Sequence, residues 1–401
     1  MQFKLLNFHN LVGNFATSLV GTFIPLMIYK QTGSIRLAVL FIFGQCLVRL
    51  LSNHIFKKLF NKYPQITLMI RIIPLVIYNI CLIFLDRFMV WGIVIIIITY
   101  GMSLSLKNNA VGVILNYSSK NNTSKKLAST RVVESISAIV AAISGGLFID
   151  WNQTWLIILS LSLYLISVIP LFIYYLCNKG SRGFNQDFSS NVAITYDKDP
   201  QLKQKRKSLV KKFLVQFFVF YALFCFMDHF TSLYSLYLFI SAPTFAQAGY
   251  ITAMFYVSYL VAILFLDWIS KKIDLNSINF VCGIICAVPI ALIPLIKNYI
   301  AIYSLIFVFG FTYSICSYFM MNSLMEKCKI VSANNKALVA RQDGIILGQV
   351  AASLVVFIIG DIFPIFFVMA GMLIVYSIYS FIVEKRLRKN LVDYIENNEI
   401  E

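Results

Sequence analysis

The chain has 401 residues, of which 59% are hydrophobic and only 13% charged, and its mean hydropathy is +0.80. That is far more apolar than a water-soluble domain needs, so a soluble fold is excluded and the chain reads as an all-α membrane protein with many spans. The formal net charge of +17 could point to nucleic acid, and its placement along the chain has to decide.

Crossing a hydrocarbon core of about 30 Å takes roughly 20 apolar residues per helix, and runs of that length recur along the whole sequence. The first covers Phe8 to Tyr29; it is interrupted by Asn10 and Asn14 and has no cleavage pattern, so a retained first helix is expected. Leu37 to Phe56, Thr67 to Leu85 and Trp91 to Leu115 follow, the last holding "SLSLKNNAVG" where a helix should still lie in lipid. Leu127 to Ile149 and Trp155 to Cys177 close a first six-helix half, residues 1–178. Residues 179–212, with "KQKRKSLVKK", are expected to form a solvated basic linker along an inner leaflet. The second half, 213–384, has runs at Phe213 to Ile240, Ala248 to Ile269, Ile278 to Ile296, Ile300 to Met325, Ala337 to Ile359 and Phe363 to Val383. A charged tail, 385–401, ends the chain, and the count of predicted spans is twelve.

With the N-terminus inside, 25 lysines and arginines fall in cytoplasmic segments, against only Lys30, Arg36, Arg87 and Lys297 on the other side. This positive-inside bias predicts both termini in the cytoplasm and assigns the charge to a membrane surface, not to nucleic acid. The eight cysteines fall in helices or at cytoplasmic ends, so no external disulfide is expected. Cys282 and Cys286 lie one helical turn apart without partner histidine or carboxylate, which reads as packing and not metal binding. There is no phosphate-cradling glycine loop and no H-E-x-x-H or other enzyme constellation, so neither a catalytic function nor a cofactor is expected.

Several features recur at nearly fixed offsets. "NHIFKKLFNK" from Asn53 lies over "DWISKKIDLN" from Asp267, matching Lys57 and Lys58 with Lys271 and Lys272. "KLASTR" from Lys126 lies over "KALVAR" from Lys336, so Arg131 matches Arg341, and "VAA" recurs at Val140 and Val350. Faint internal matching of this kind is a mark of transporters built from two related halves.

With these features the sequence resembles the major facilitator superfamily. The family's loop between helices 2 and 3, G-x-x-x-D-R-x-G-R, has here Asn53 for the glycine, Lys57 for the aspartate and Lys58 for the arginine. The helix 5 segment ending G-P-x-x-G-G is matched by "AAISGG", which keeps Gly145 and Gly146 but has Ala141 and Ala142 in place of Gly-Pro. "YKQTGS" after helix 1 resembles the macrolide-efflux-like branch. The resemblance implies twelve helices in two pseudo-twofold halves, with helices 1, 4, 7 and 10 lining a central cavity.

A charge at mid-membrane is costly, and is by default a functional candidate. Those singled out are Arg49 in helix 2, Lys107 in helix 4, and Asp228 with His229 in helix 7. Helix 1 adds Asn10, Asn14, Ser18 and Thr22, four apart and so on one face. At the offset of 214, Asn14 overlays Asp228 and Ser18 overlays Ser232. Asn10, Asn14, Ser18, Lys107, Asn108 and Ser232 are therefore the expected substrate-binding residues. Asp228, an acid that can carry a proton, and His229, an imidazole that titrates near neutrality, are the expected coupling pair. For Lys107 snorkelling to the headgroups is the competing reading, and for Arg49 a structural role.

The resemblance also places the loop after helix 2 beside helix 11 and the loop after helix 8 beside helix 5. A swapped-charge gate follows as an expectation: Lys57 or Lys58 with Asp343, and Lys271 or Lys272 with Glu134. The expected function is export of a small organic molecule by a monomer in a bacterial inner membrane, driven by a proton gradient. Uptake of a small anionic solute by the same fold, and a lipid-linked saccharide flippase, are the alternatives.

Overall fold

In the computed structural model residues 2–117, 123–178, 200–272, 275–330 and 334–396 are described, and every regular element among them is helical. Of the basic linker expected over 179–212, residues 179–199 lie outside the described residues and 200–212 are helical; the loop 118–122 and the side chains of Arg131, Lys271 and Lys272 also lie outside them.

The helices in chain order are α1 (Gln2–Gly21), α2 (Ile24–Thr32), α3 (Ile35–Ile55), α4 (Lys57–Lys62), α5 (Pro64–Ile70), α6 (Ile72–Ile83), α7 (Leu85–Tyr117) and α8 (Thr123–Asn178). They continue with α9 (Pro200–Phe224), α10 (Phe230–Ser241), α11 (Phe245–Lys272), α12 (Leu275–Leu292), α13 (Tyr299–Ile330), α14 (Asn334–Ile359) and α15 (Phe363–Glu396). Among the described residues eleven helical stretches are long and apolar enough to cross a membrane, so the chain is a multi-pass membrane protein. Ten of them overlap single runs expected from the sequence, most with ends within a few residues; Leu85–Val111 and Lys207–Ser241 start earlier than the expected Trp91 and Phe213. The eleventh, Val132–Ile173, is 42 residues, roughly 60 Å at helical rise and about twice a bilayer core. It is broken by the extended backbone of Asn152, whose side-chain oxygen accepts from the Trp155 amide at 3.1 Å as an N-terminal cap.

Prolines set other breaks. Pro25 has no amide to offer the Gly21 carbonyl, and α1 stops there before α2 begins. Pro74 likewise leaves the Ile70 carbonyl without its donor, which separates α5 from α6 and puts Arg71 in the break. Within "YKQTGS", Gly33 takes the left-handed backbone (φ 64°) that ends α2, and Ser34 caps α3 by accepting from Leu37 N at 3.3 Å. These roles account for the loop physically.

Backbone packing divides the chain into two units. The first comprises Met1–Asn191, Thr231–Leu260 and Ser353–Ile362; the second comprises Val192–Phe230, Val261–Ala352 and Phe363–Glu401. In the first, α1 packs along α8, and α7 packs against α3 and α6. Small residues permit the close approaches: a Cβ on Gly145 would stand 2.6 Å from the Leu19 carbonyl oxygen, and one on Gly146 would stand 2.7 Å from that of Phe245. So the "AAISGG" segment is a packing surface. In the second unit α12 packs on α13 and α15, around a core of Ala262, Leu266, Ile269, Ile278, Ile315 and Phe319. The outer faces carry exposed isoleucine, leucine and phenylalanine, as lipid contact requires, and exposed Trp91, Trp151 and Trp155 flank the breaks at Met89 and Asn152.

Candidate functional site

Helix α9 ends at Phe224, where the backbone tightens into a 3-10 turn over Cys225–Met227 before α10 starts at Phe230. No proline causes this break; it falls where the apolar run meets its two polar residues, Asp228 and His229. The Asp228 amide bonds the Cys225 carbonyl at 3.1 Å, and its side chain leaves the helical stack. One carboxylate oxygen accepts from the Tyr313 hydroxyl of α13, and the other from the Gln349 amide of α14 at 2.8 Å. Tyr313 is itself held by stacking on Phe224, with ring centroids 4.6 Å apart.

Helix α14 reaches this break through glycine. A Cβ on Gly344 would lie 2.5 Å from the Phe218 carbonyl oxygen, and one on Gly348 would collide with the Ala222 carbonyl and stand 2.9 Å from the Phe226 nitrogen. This small-xxx-small face sets α14 backbone-close to α9 and delivers Gln349 to the acid. Asp228 is half-buried and His229 buried. The arrangement is a carboxylate in a membrane helix break, bridged by donors from two neighbouring helices. It can exchange a proton, and each protonation state bonds Tyr313 and Gln349 differently.

A second polar cluster lies within the first unit. Arg71 is 1% exposed, and its Nε–H donates to Ser103 Oγ at 2.9 Å. Its guanidinium lies over the Tyr164 ring, 5.0 Å from the centroid, while Nη1 and Nη2 have no hydrogen-bond partner. His9 meets Tyr164 edge-on at 5.9 Å and donates from Nδ1 to the Ser167 carbonyl at 3.1 Å. Tyr78 and Tyr100, ring centroids 5.4 Å apart, complete an aromatic wall that the Arg71 charge reaches.

The candidates from sequence distribute as follows. Asn10 and Asn14 are buried, and none of their side-chain nitrogen and oxygen atoms has a partner; Ser18 and Ser232 are half-buried. Lys107 is half-buried and Asn108 exposed. Helix α7 runs without a break from Val90 to Tyr117, so "SLSLKNNAVG" does not end it. Its anchored residue is Asn109, whose amide donates to Asn53 Oδ1 at 2.6 Å, the same oxygen that accepts from Ser105 at 2.7 Å. Arg49 is buried. Lys57 and Lys58 are exposed, and Glu134 and Asp343 are half-buried.

Sequence reasoning missed Arg71, Tyr313 and Gln349. Arg71 carried a readable signal: it is the one charge in the run Thr67 to Leu85 before Asp86, three residues ahead of a proline. The other two are joined to Asp228 by separations of 85 and 121 residues, which no local pattern encodes.

A family model described as Major Facilitator Superfamily matches residues 8–340. No curated protein sequence matches the chain. Among solved structures, the nucleoside transporter NupG is similar at TM-score 0.63 and 14% identity, covering 95% of this chain and 98% of its own. A bacterial homologue of the iron transporter ferroportin in an inward-facing state is similar at TM-score 0.65 and 11% identity, covering 94% and 98%.

Proposed function

This chain belongs to the major facilitator superfamily, and from that premise we propose that it exports a small organic molecule by alternating access against a proton gradient, with Asp228 as the proton carrier. The observation that carries the reading is the carboxylate of Asp228 in the α9–α10 break, bonded by Tyr313 and Gln349. When charged, the acid accepts from both helices and ties the break to α13 and α14. When protonated, it must give up one acceptor position to a donor, which loosens that tie. Proton binding is thereby converted into a change in how three helices are held together.

The reading includes twelve spans, with Val132–Ile173 supplying two that meet at Asn152, arranged as two six-helix halves. Both termini are cytoplasmic, the host is a bacterial inner membrane, and the unit is a monomer. Asn10, Asn14, Ser18, Lys107, Asn108 and Ser232 contribute to substrate binding, His229 assists Asp228, and the gate pairs Lys57 or Lys58 with Asp343 and Lys271 or Lys272 with Glu134. The similarity to a nucleoside and an iron transporter supports transport as the activity and leaves the substrate class to be argued from the chain's own residues.

Uptake is the second reading, favoured by the uncompensated cation in the first unit. Everted and right-side-out vesicles, loaded against a compound panel, separate the two. Export predicts gradient-dependent accumulation in everted vesicles only. Accumulation in right-side-out vesicles alone reverses the direction, and accumulation that ignores the proton gradient removes the coupling.

A further inference from the structure

The Arg71 cluster has no place in the proton mechanism, and it is the least balanced feature of the described chain. A buried charge left without a counter-charge or hydrogen bonds is expensive, and folds keep one only where something completes it. Here the guanidinium is 99% buried, one of its three nitrogens is bonded, and that bond goes to a neutral hydroxyl. No aspartate or glutamate among the described residues hydrogen-bonds or ion-pairs with it.

The surroundings lean the same way. The Arg71 and Lys107 charges both reach His9. The Tyr78 and Tyr164 hydroxyls are buried, Tyr78 beside the Asn79 side chain and Tyr164 beside Arg71 itself. Helix α1, which touches Tyr164 through His9, adds Asn10 and Asn14 with their amides unsatisfied. Arg71 lies at the α5–α6 junction three residues before Pro74, with its guanidinium carbon 5.0 Å from the Tyr164 ring centroid. Ser103 occupies Nε, so the free edge is the Nη1/Nη2 pair, the one that grips an oxyanion with two parallel N–H bonds.

We propose that Arg71 is the substrate-recognition residue for an organic anion, whose carboxylate or phosphate oxygens bond Nη1 and Nη2 while its apolar body lies among Tyr78, Tyr100 and Tyr164. This rests on the transporter reading above and supplies its substrate class. The phosphate of a lipid headgroup offers the same chemistry as that of a free solute, so the two are separated by the test.

The test is thermal unfolding of the purified, delipidated full chain in detergent, with benzoate, inorganic phosphate, a short-chain phosphatidic acid, neutral benzamide, or sodium chloride at matched ionic strength. The expected result is a raised midpoint with benzoate or phosphate and none with benzamide or chloride; a rise with the phosphatidic acid alone overturns the solute reading in favour of lipid. Arg71→Met and Arg71→Lys complete it. If Arg71 serves an anion, Arg71→Met has a midpoint in anion-free buffer equal to or above that of wild type and loses the anion-induced rise, and Arg71→Lys weakens the rise at least tenfold in anion concentration. A midpoint for Arg71→Met well below wild type, or an anion rise that survives it, overturns the proposal. Vesicle transport by the same variants keeps the two readings apart: transport retained in Arg71→Met sinks the anion site and leaves the transporter standing, whereas anion binding without transport in wild type sinks the transporter reading alone.

Discussion

Replacing Gly348 by alanine tests whether α14 is seated backbone-to-backbone against the α9 break. The added methyl would overlap the Ala222 carbonyl oxygen and lie 2.9 Å from the Phe226 nitrogen and 3.0 Å from the Cys225 carbonyl carbon, where 3.4 Å or more is ordinary contact. All three are main-chain atoms, so no side chain can turn aside, and the helices must part by about half an ångström or more. Overpacking of this kind costs about 1–3 kcal/mol. Gly371 on α15 is the internal control, since a Cβ there meets nothing within 4 Å. Both substitutions gain the same helix propensity, up to about 1 kcal/mol, so the difference between them isolates the collision. In thermal unfolding of the purified protein, Gly348→Ala should melt a few degrees below Gly371→Ala, and vesicle transport should fall in the first only. Equal midpoints and equal transport would refute the packing argument and with it the route by which Gln349 reaches Asp228.

Two further outcomes follow from the structure, and a third tests the proposed gate. Pro74→Ala returns a donor to the Ile70 carbonyl and straightens the α5–α6 break; transport should drop several-fold in a folded protein, and an unchanged rate would mean the break does not position Arg71. Tyr313→Phe deletes a hydrogen bond to a charged acceptor, worth about 1.5–3 kcal/mol; the initial rate of proton-driven transport should fall by several-fold, and wild-type rates would remove Tyr313 from the coupling site. For the gate, Lys57→Glu and Asp343→Lys should each impair transport and the double variant should recover it; absence of recovery means the two residues do not pair.

The span boundaries were legible because the bilayer imposes a length and an apolarity that any run must meet, and the span drawn from Trp91 to Leu115 through Lys107 corresponds to the unbroken part of helix α7. The breaks ahead of Pro25 and Pro74 were not anticipated, since the expected spans Phe8 to Tyr29 and Thr67 to Leu85 ran through both prolines. The break at Asp228 was not legible either, because no proline or glycine marks it and the polar groups that bond Asp228 come from α13 and α14, 85 and 121 residues away. The same limit hid Tyr313 and Gln349. A polar stripe on α1 could be seen from four-residue spacing, but which polar neighbours bond and which stay unsatisfied is decided across helices: Asn109, not Asn108, is the residue tied to Asn53. Arg71 was overlooked for a different reason. It is the one charge in its apolar run, a signal present in the sequence, but its partners are aromatic and neutral, so no paired charge drew notice to it.

Proton coupling through Asp228 is tested most directly by Asp228→Asn in proteoliposomes. Asparagine keeps the size of the side chain and one acceptor oxygen, and it cannot carry a proton. Accumulation driven by an imposed pH gradient should disappear, while exchange of labelled for unlabelled substrate across the membrane persists. Gradient-driven accumulation at the wild-type level in Asp228→Asn would contradict the account.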